Sequence, residues 1–317
     1  MSLIGKKASA YAPASSGNLS VGFDLLGAAL KRVDGEEFGD RVEVEFSEHE
    51  GLVNSGEYAD VCPQDDEQNL AWQAYRLFRS RLKDDVYPDV KMELVKSLPV
   101  GSGLGSSACS VVASLTALNR LFDFPYGDEA LLLLMGEIEA AASGSLHYDN
   151  VAPSYFGGLQ LMTPEPDQPV IGLPVPQSWY LVVAFPGFGF PTKQAREILP
   201  KQYDKADAIE NAQNLAVFTS YLYRGDDMRA ARSIKDIIAE PYRGALIEGF
   251  VAAKLELEQK GALAVGISGA GPTLFAISQD EEQARAFEAY LVEHYVQSEN
   301  GFVHICQIAT QGAKHLD

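Results

Sequence analysis

The sequence predicts a mixed chain of strands and helices in two domains, and three observations carry that reading. Strand-like and helix-like runs interleave in both halves, a pattern open to α+β and to α/β layouts. At 317 residues the chain is longer than one hydrophobic core comfortably serves. Residues 163–177 hold five prolines, at 164, 166, 169, 174 and 176, a composition that marks a connection and divides the chain into 1–165 and 166–317.

Taken in order, Lys6 to Ala12 reads as a strand, and Arg41-Val-Glu-Val-Glu-Phe46 alternates with period two, apolar on one face and charged on the other. Glu67 to Leu82 is helix-like, and Val90-Lys-Met-Glu-Leu-Val95 is a further strand. Ala108 to Leu121 is small and apolar nearly all round, the mark of a buried helix. Asp128 to Ser143 opens on an acidic cap candidate and continues through Leu131-Leu-Leu-Leu-Met135 as a core helix. Beyond the prolines, Trp179 to Phe185 is a strand, and helical patterns cover 192–198, 206–223 and 228–238. Ala262 to Ile267 and Thr273 to Ser278 are strands joined by Ser268-Gly-Ala-Gly-Pro272; a helix from Glu281 to Val296 and a strand from Phe302 to Ile308 close the chain.

Composition excludes several classes of partner. Twenty-five basic against 44 acidic side chains give a net charge of −19, which repels nucleic acid and anionic membranes and favours a small-molecule client. Cys62, Cys109 and Cys306 are odd in number and widely spaced, so neither a disulfide framework nor a zinc site is expected, and a reducing cytoplasm is the natural setting. No signal-peptide core is expected, and no run approaches the ~18 apolar residues of a membrane span.

Chemistry concentrates in Pro99-Val-Gly-Ser-Gly-Leu-Gly-Ser-Ser-Ala108, three glycines and three serines between a strand and a helix. Such a loop brings backbone N–H groups and the positive end of a helix dipole up to an anion. It is not a Walker A loop, because Ser106 follows Gly105 where lysine is required, and serine at 106 also breaks a dinucleotide fingerprint beginning at Gly101.

This loop resembles the ATP-binding motif of the GHMP small-molecule kinases. Pro13-Ala-Ser-Ser-Gly-Asn-Leu-Ser-Val-Gly-Phe-Asp24 and Gly266-Ile-Ser-Gly-Ala-Gly-Pro-Thr273 resemble that family's other segments at matching places along the chain. The first of them, with Gly144-Ser-Leu-His-Tyr-Asp-Asn-Val-Ala-Pro153, is similar to the homoserine kinase branch. The resemblance implies an α+β, two-domain architecture: a first domain like domain 2 of ribosomal protein S5, a ferredoxin-like second domain, and the active site between them.

It also implies ATP and Mg²⁺. Pro99, Gly101, Ser102, Gly103, Leu104, Gly105, Ser106 and Ser107 would wrap the phosphates, Asn69 would stand near adenine, and Ser106 or Ser107 would hold the metal with Glu139. For the substrate L-homoserine, Arg196 and Arg243 match carboxylate-binding positions, and Asn18, Asp24 and Asp149 match those around the ammonium and substrate backbone. His147 and Asn150 belong to the same pocket, with Asn150 nearest the reacting hydroxyl. Because Asn150 stands where relatives carry an aspartate base, the implied chemistry is direct in-line attack without a carboxylate base, with Asn150, Glu139 and Ser107 as its catalytic groups. Ser268 to Thr273 is expected to pack on the phosphate loop, and Phe185-Pro-Gly-Phe-Gly-Phe190 reads equally as a mobile lip or a turn. The implied role is the step before threonine synthase in threonine biosynthesis, by a homodimer; because threonine shares homoserine's carboxylate and ammonium, its competition at Arg196 and Arg243 is a separate expectation. Two other readings stay open here: phosphorylation of another alcohol, such as a sugar or mevalonate, and a silent ligand sensor on the same fold.

Overall fold

A computed structural model describes residues 3–83, 86–144, 146–190 and 192–316. The first half runs β1 (Lys7–Pro13), β2 (Ser15–Gly17), β3 (Leu26–Arg32), β4 (Gly39–Ser47), β5 (Gly51–Ser55), α1 (Leu70–Ser80), β6 (Asp89–Val95), α2 (Ser106–Leu121), α3 (Asp128–Ser143), α4 (Val151–Phe156) and β7 (Leu159–Met162). The remainder runs β8 (Val170–Leu173), β9 (Tyr180–Phe185), α5 (Thr192–Glu197), α6 (Lys205–Tyr223), α7 (Asp227–Arg232), α8 (Glu240–Arg243), α9 (Phe250–Gln259), β10 (Ala264–Ile267), β11 (Leu274–Ser278), α10 (Glu281–His294), β12 (Phe302–Ile308) and β13 (Lys314–Leu316).

One sheet has the order β13-β1-β4-β6-β5. Its strands follow their alternation: Val90, Met92 and Leu94 of β6 turn inward while Lys91 and Glu93 face solvent. The apolar face meets α2, which packs on β1 and β4 and is buried almost throughout. In the second sheet, of order β10-β11-β9-β12-β3-β7-β8 with β2 on β3, the central strand β9 is apolar on both faces because both are covered. Leu181 and Val183 enter a core with Trp179, Phe218 and Phe275; Val182 and Ala184 enter another with Phe250, Phe287 and Leu291 of α9 and α10.

Several expectations change in detail. The proline-rich stretch is not a bare connection, since it carries β8, paired antiparallel to β7 with Leu159 opposite Leu173. The second sheet crosses residue 165: β3 pairs with β12, Arg32 opposite Cys306, so strands from both halves share one layer. The helix expected over 228–238 ends at Arg232, with Ser233 as its cap. Asp128 makes no capping hydrogen bond from its side chain; it lies in the first turn of α3, where its charge suits the dipole, and accepts a hydrogen bond from the Tyr155 hydroxyl.

Candidate active site

The chain leaves β6, crosses the glycine loop and enters α2 with Gly105 as its N-cap, and the loop is pinned on both sides. Gly103 has φ 84°, and a Cβ there would press on the Ser268 carbonyl and lie 2.9 Å from Gly271 N. Gly105 has φ 63°, and a Cβ would collide with Ser15 Oγ and stand 2.9 Å from Asn150 Oδ1. The 268–273 turn is stapled to the loop: Ser268 Oγ donates to Gly103 O at 2.8 Å and Thr273 N donates to Ser102 O at 3.1 Å. Segment 185–190 also meets it, with Phe190 N donating to Gly101 O at 2.9 Å. Among the described residues no side chain caps α2, whose N-cap is Gly105, so its leading N–H groups suit an external acceptor.

Beneath the loop lies a buried network that the sequence did not announce. Lys96, 3% exposed, donates to Asp40 Oδ2, to Ser106 O at 2.9 Å and to Ser110 Oγ at 3.0 Å. Asp40 Oδ1 accepts from Ser97 N and Leu98 N at 2.9 and 3.2 Å. The pair therefore ties β4, the loop and the first turns of α2 together.

The loop borders a cleft of about 480 Å³. At one end Val61, Cys62, Pro63, Leu70 and Leu94 make an apolar wall. Asn69 lies there too, but its amide is engaged: Oδ1 caps α1 through Ala71 N at 3.0 Å, and Nδ2 donates to Asn54 Oδ1. In the middle the two loop serines separate. Ser106 Oγ turns inward to Leu98 O at 3.1 Å, whereas Ser107 Oγ donates to Glu139 Oε1 at 2.9 Å. Burial pushes the Glu139 carboxyl up, opposed by the Ser107 hydrogen bond. Pro99 and Leu104 are buried under the loop, outside the cleft lining, and shape it rather than face it.

At the other end, a turn rich in left-handed residues after β2 presents Asp24 to the cleft. Asn18, Leu19, Ser20 and Asp24 all have positive φ. Asn18 holds the turn: its Oδ1 accepts from Asp24 N at 2.8 Å and its Nδ2 donates to Gly269 O at 3.1 Å. Asp24 faces Arg196, whose Nη1 and Nη2 donate to its two oxygens at 2.9 Å each. His147 Nδ1 lies 3.8 Å from Asp24 Oδ2, and burial lowers its pKa. Arg243, 3% exposed, donates through Nε to Ala195 O at 2.8 Å and through Nη1 to Gly269 O at 3.3 Å. Asp149 is buried beside them; burial, then the Asp24 charge, pushes its carboxyl up to about 7. Asn150 precedes α4 and its Oδ1 accepts from Ser15 Oγ at 3.1 Å.

Residues 69–158 match the family described as GHMP kinases N terminal domain, and 218–297 match GHMP kinases C terminal. Over 308 residues, 96% of this chain and 98% of the relative, the sequence is 45% identical to the homoserine kinase of Buchnera aphidicola subsp. Acyrthosiphon pisum (strain APS). The chain belongs to the GHMP kinase family. A solved homoserine kinase from Cytophaga hutchinsonii, 34% identical, matches this GHMP kinase with a TM-score of 0.87 over 98% of both chains. The mevalonate kinase of L. major in complex with R-mevalonate, 18% identical, shares the fold with a TM-score of 0.70 over 97% of this chain and 98% of that one.

This GHMP kinase thus gathers into one cleft all the predicted site residues except Pro99 and Leu104. Sequence reasoning missed Lys96 and Phe23. A lysine at a strand end reads as solvated, so only the three-dimensional pairing with Asp40 exposes its role. The guanidinium groups of Arg196 and Arg243 both lie over the Phe23 ring, 5.8 and 5.5 Å from its centroid, a contact between α5, α8 and the 18–24 turn that no spacing encodes.

Proposed function

We propose that this GHMP kinase transfers the γ-phosphoryl group of ATP to the hydroxyl of L-homoserine, giving O-phospho-L-homoserine. The observation that carries the reading is the juxtaposition, along one cleft, of an uncapped helix N-terminus behind a glycine loop and a cluster of two arginines facing two aspartates. The first suits phosphates, and the second suits an amino acid's carboxylate and ammonium.

The apolar wall beside Asn69 takes the adenine, with Asn69 fixing that wall through its capping bonds. Glu139, buried and already drawing the Ser107 hydroxyl, makes with it a pair of hard oxygen donors that fits Mg²⁺. When bound, the cation neutralises charge that builds on the phosphates during transfer. Arg196 and Arg243 bind the substrate carboxylate, and Asp24 and Asp149 its ammonium. Asn18 positions Asp24, and His147 is a polar anchor. Asn150, with Oδ1 taken by Ser15, orients the substrate hydroxyl for direct in-line attack; an amide accepts no proton at neutral pH, so the hydroxyl proton leaves late or to a phosphate oxygen. A reducing compartment suits three buried free thiols, which supports a cytoplasmic site of action. No helix among the described residues is long and apolar enough to cross a membrane. A homodimer is part of this reading, and light scattering of the purified chain tests it.

The deciding experiment is ADP release from ATP and Mg²⁺ with L-homoserine beside L-serine, mevalonate and galactose, with the product identified by phosphorus NMR. Homoserine-dependent turnover carries the reading. Turnover with another alcohol alone would remove the arginines from the carboxylate role, and ATP binding without any turnover would favour a ligand sensor.

A further inference from the structure

Resting on that reading, the ion pair between Asp24 and Arg196 has a consequence for how the site fills. Each partner is one the zwitterion needs, yet each is already bidentate to the other, with both bonds at 2.9 Å. Neither is free to swing away cheaply. Asp24 is fixed by its backbone N–H to Asn18 Oδ1, and Asn18 in turn is tied to Gly269. Arg196 stacks against Phe23, and its Nε is buried with no acceptor among the described residues. The fork is satisfied by Asp24 while that donor is not, so Asp24 meets only part of what the guanidinium can donate, and a ligand carboxylate able to engage Nε as well competes for it.

We propose that the Asp24–Arg196 pair is an internal stand-in for the amino-acid zwitterion, and that substrate enters by exchanging ion pairs. The incoming carboxylate takes Arg196 from Asp24, with Arg243 beside it, and the incoming ammonium takes the released Asp24 together with Asp149. A zwitterion replaces one satisfied pair by two. A ligand with only one charge must break the same pair and leave a partly buried partner uncompensated, so it loses more than the contact it lacks. The exchange therefore sets selectivity for ligands carrying both charges, and it makes Asp24 an obstacle to any ligand that carries only the anion.

That last point gives a test a simple contact model does not share. The probes are L-homoserine, 4-hydroxybutanoate with the carboxylate alone, and 3-aminopropan-1-ol with the ammonium alone, titrated calorimetrically into the full chain. In Asp24→Asn, L-homoserine is expected to bind about tenfold or more weakly, while 4-hydroxybutanoate binds about tenfold or more tightly, the scale of one charged hydrogen-bond pair. In the reciprocal variant Arg196→Gln, which frees Asp24, 3-aminopropan-1-ol gains and L-homoserine loses; this second variant serves if the first does not fold, and melting curves check both. Unchanged or weakened 4-hydroxybutanoate binding in a folded Asp24→Asn, or unchanged 3-aminopropan-1-ol binding in a folded Arg196→Gln, overturns the exchange. Failure of the substrate reading shows separately, as absence of homoserine turnover in the unaltered enzyme.

Discussion

Burial pushes the Asp149 carboxyl up to about 7, and the negative charge of Asp24 adds to the shift. An ammonium needs that carboxyl ionised, so the KM for homoserine is expected to rise as pH falls from 8 to 6 while kcat stays nearly flat, measured by ADP release across that range. Stability follows the opposite sense. Between about pH 4 and 7 the folded chain holds a proton that the unfolded chain releases, so this group's contribution declines as pH rises through that window. Asp149→Asn is therefore expected to stabilise the empty enzyme at pH 8 by roughly 1–3 kcal/mol in urea unfolding, and to raise KM with little change in kcat. A large fall in kcat with KM intact would instead make Asp149 the proton acceptor. Glu139→Gln separates in the same way: turnover is expected to drop by about 10²–10³, read with Mg²⁺ titration, while the melting temperature holds or rises because a desolvated carboxylate has been removed.

At the scale of elements, the buried Lys96–Asp40 pair is what holds the glycine loop against α2. Lys96→Met leaves the Asp40 charge without its cation in a dry site, and a loss of about 3–5 kcal/mol is expected in urea denaturation, largely recovered when Asp40→Asn is added. A pair that merely decorated the loop would show additive losses. Elements with a strong pattern are legible in the sequence: β4 by its alternation, α3 by its leucine run, and β12 as an apolar run with the bounds the structure shows. Those built by context are not. β3, Leu-Gly-Ala-Ala-Leu-Lys-Arg, is a strand because β7 and β12 flank it, although its small residues carry little strand preference. β8 hides among prolines because it is the edge strand of its sheet, where missing N–H groups cost little. In the site, the residue types were legible from the motifs. Which partner each would choose was not: Ser106 against Ser107, Asn18 as a turn clamp, and Asp24 already paired with Arg196 are decided by contacts more than a hundred residues apart or by one rotamer.

Across the whole molecule, the cleft exists because the chain returns on itself. β12 lies between β9 and β3, with Val33 N donating to Ile305 O at 3.0 Å and Ala309 N to Ala29 O at 2.9 Å; beyond it β13 pairs with β1. The principal core mixes Val42, Leu94 and Leu115 from the first half with Trp179, Leu181, Phe275 and Ile308 from the second. Severing the chain after residue 165 would strip β3 of one neighbour, open a sheet edge and expose apolar faces that nothing else covers. The full chain is accordingly expected to unfold in one transition by circular dichroism and by tryptophan fluorescence, with Trp72 and Trp179 reporting from opposite halves of one core. Residues 1–165 expressed alone are expected to give poorly dispersed NMR spectra and no cooperative melt. A folded, cooperatively melting fragment would show that the first half needs none of the shared core, and the loop and the arginines would then be coupled only through the cleft itself.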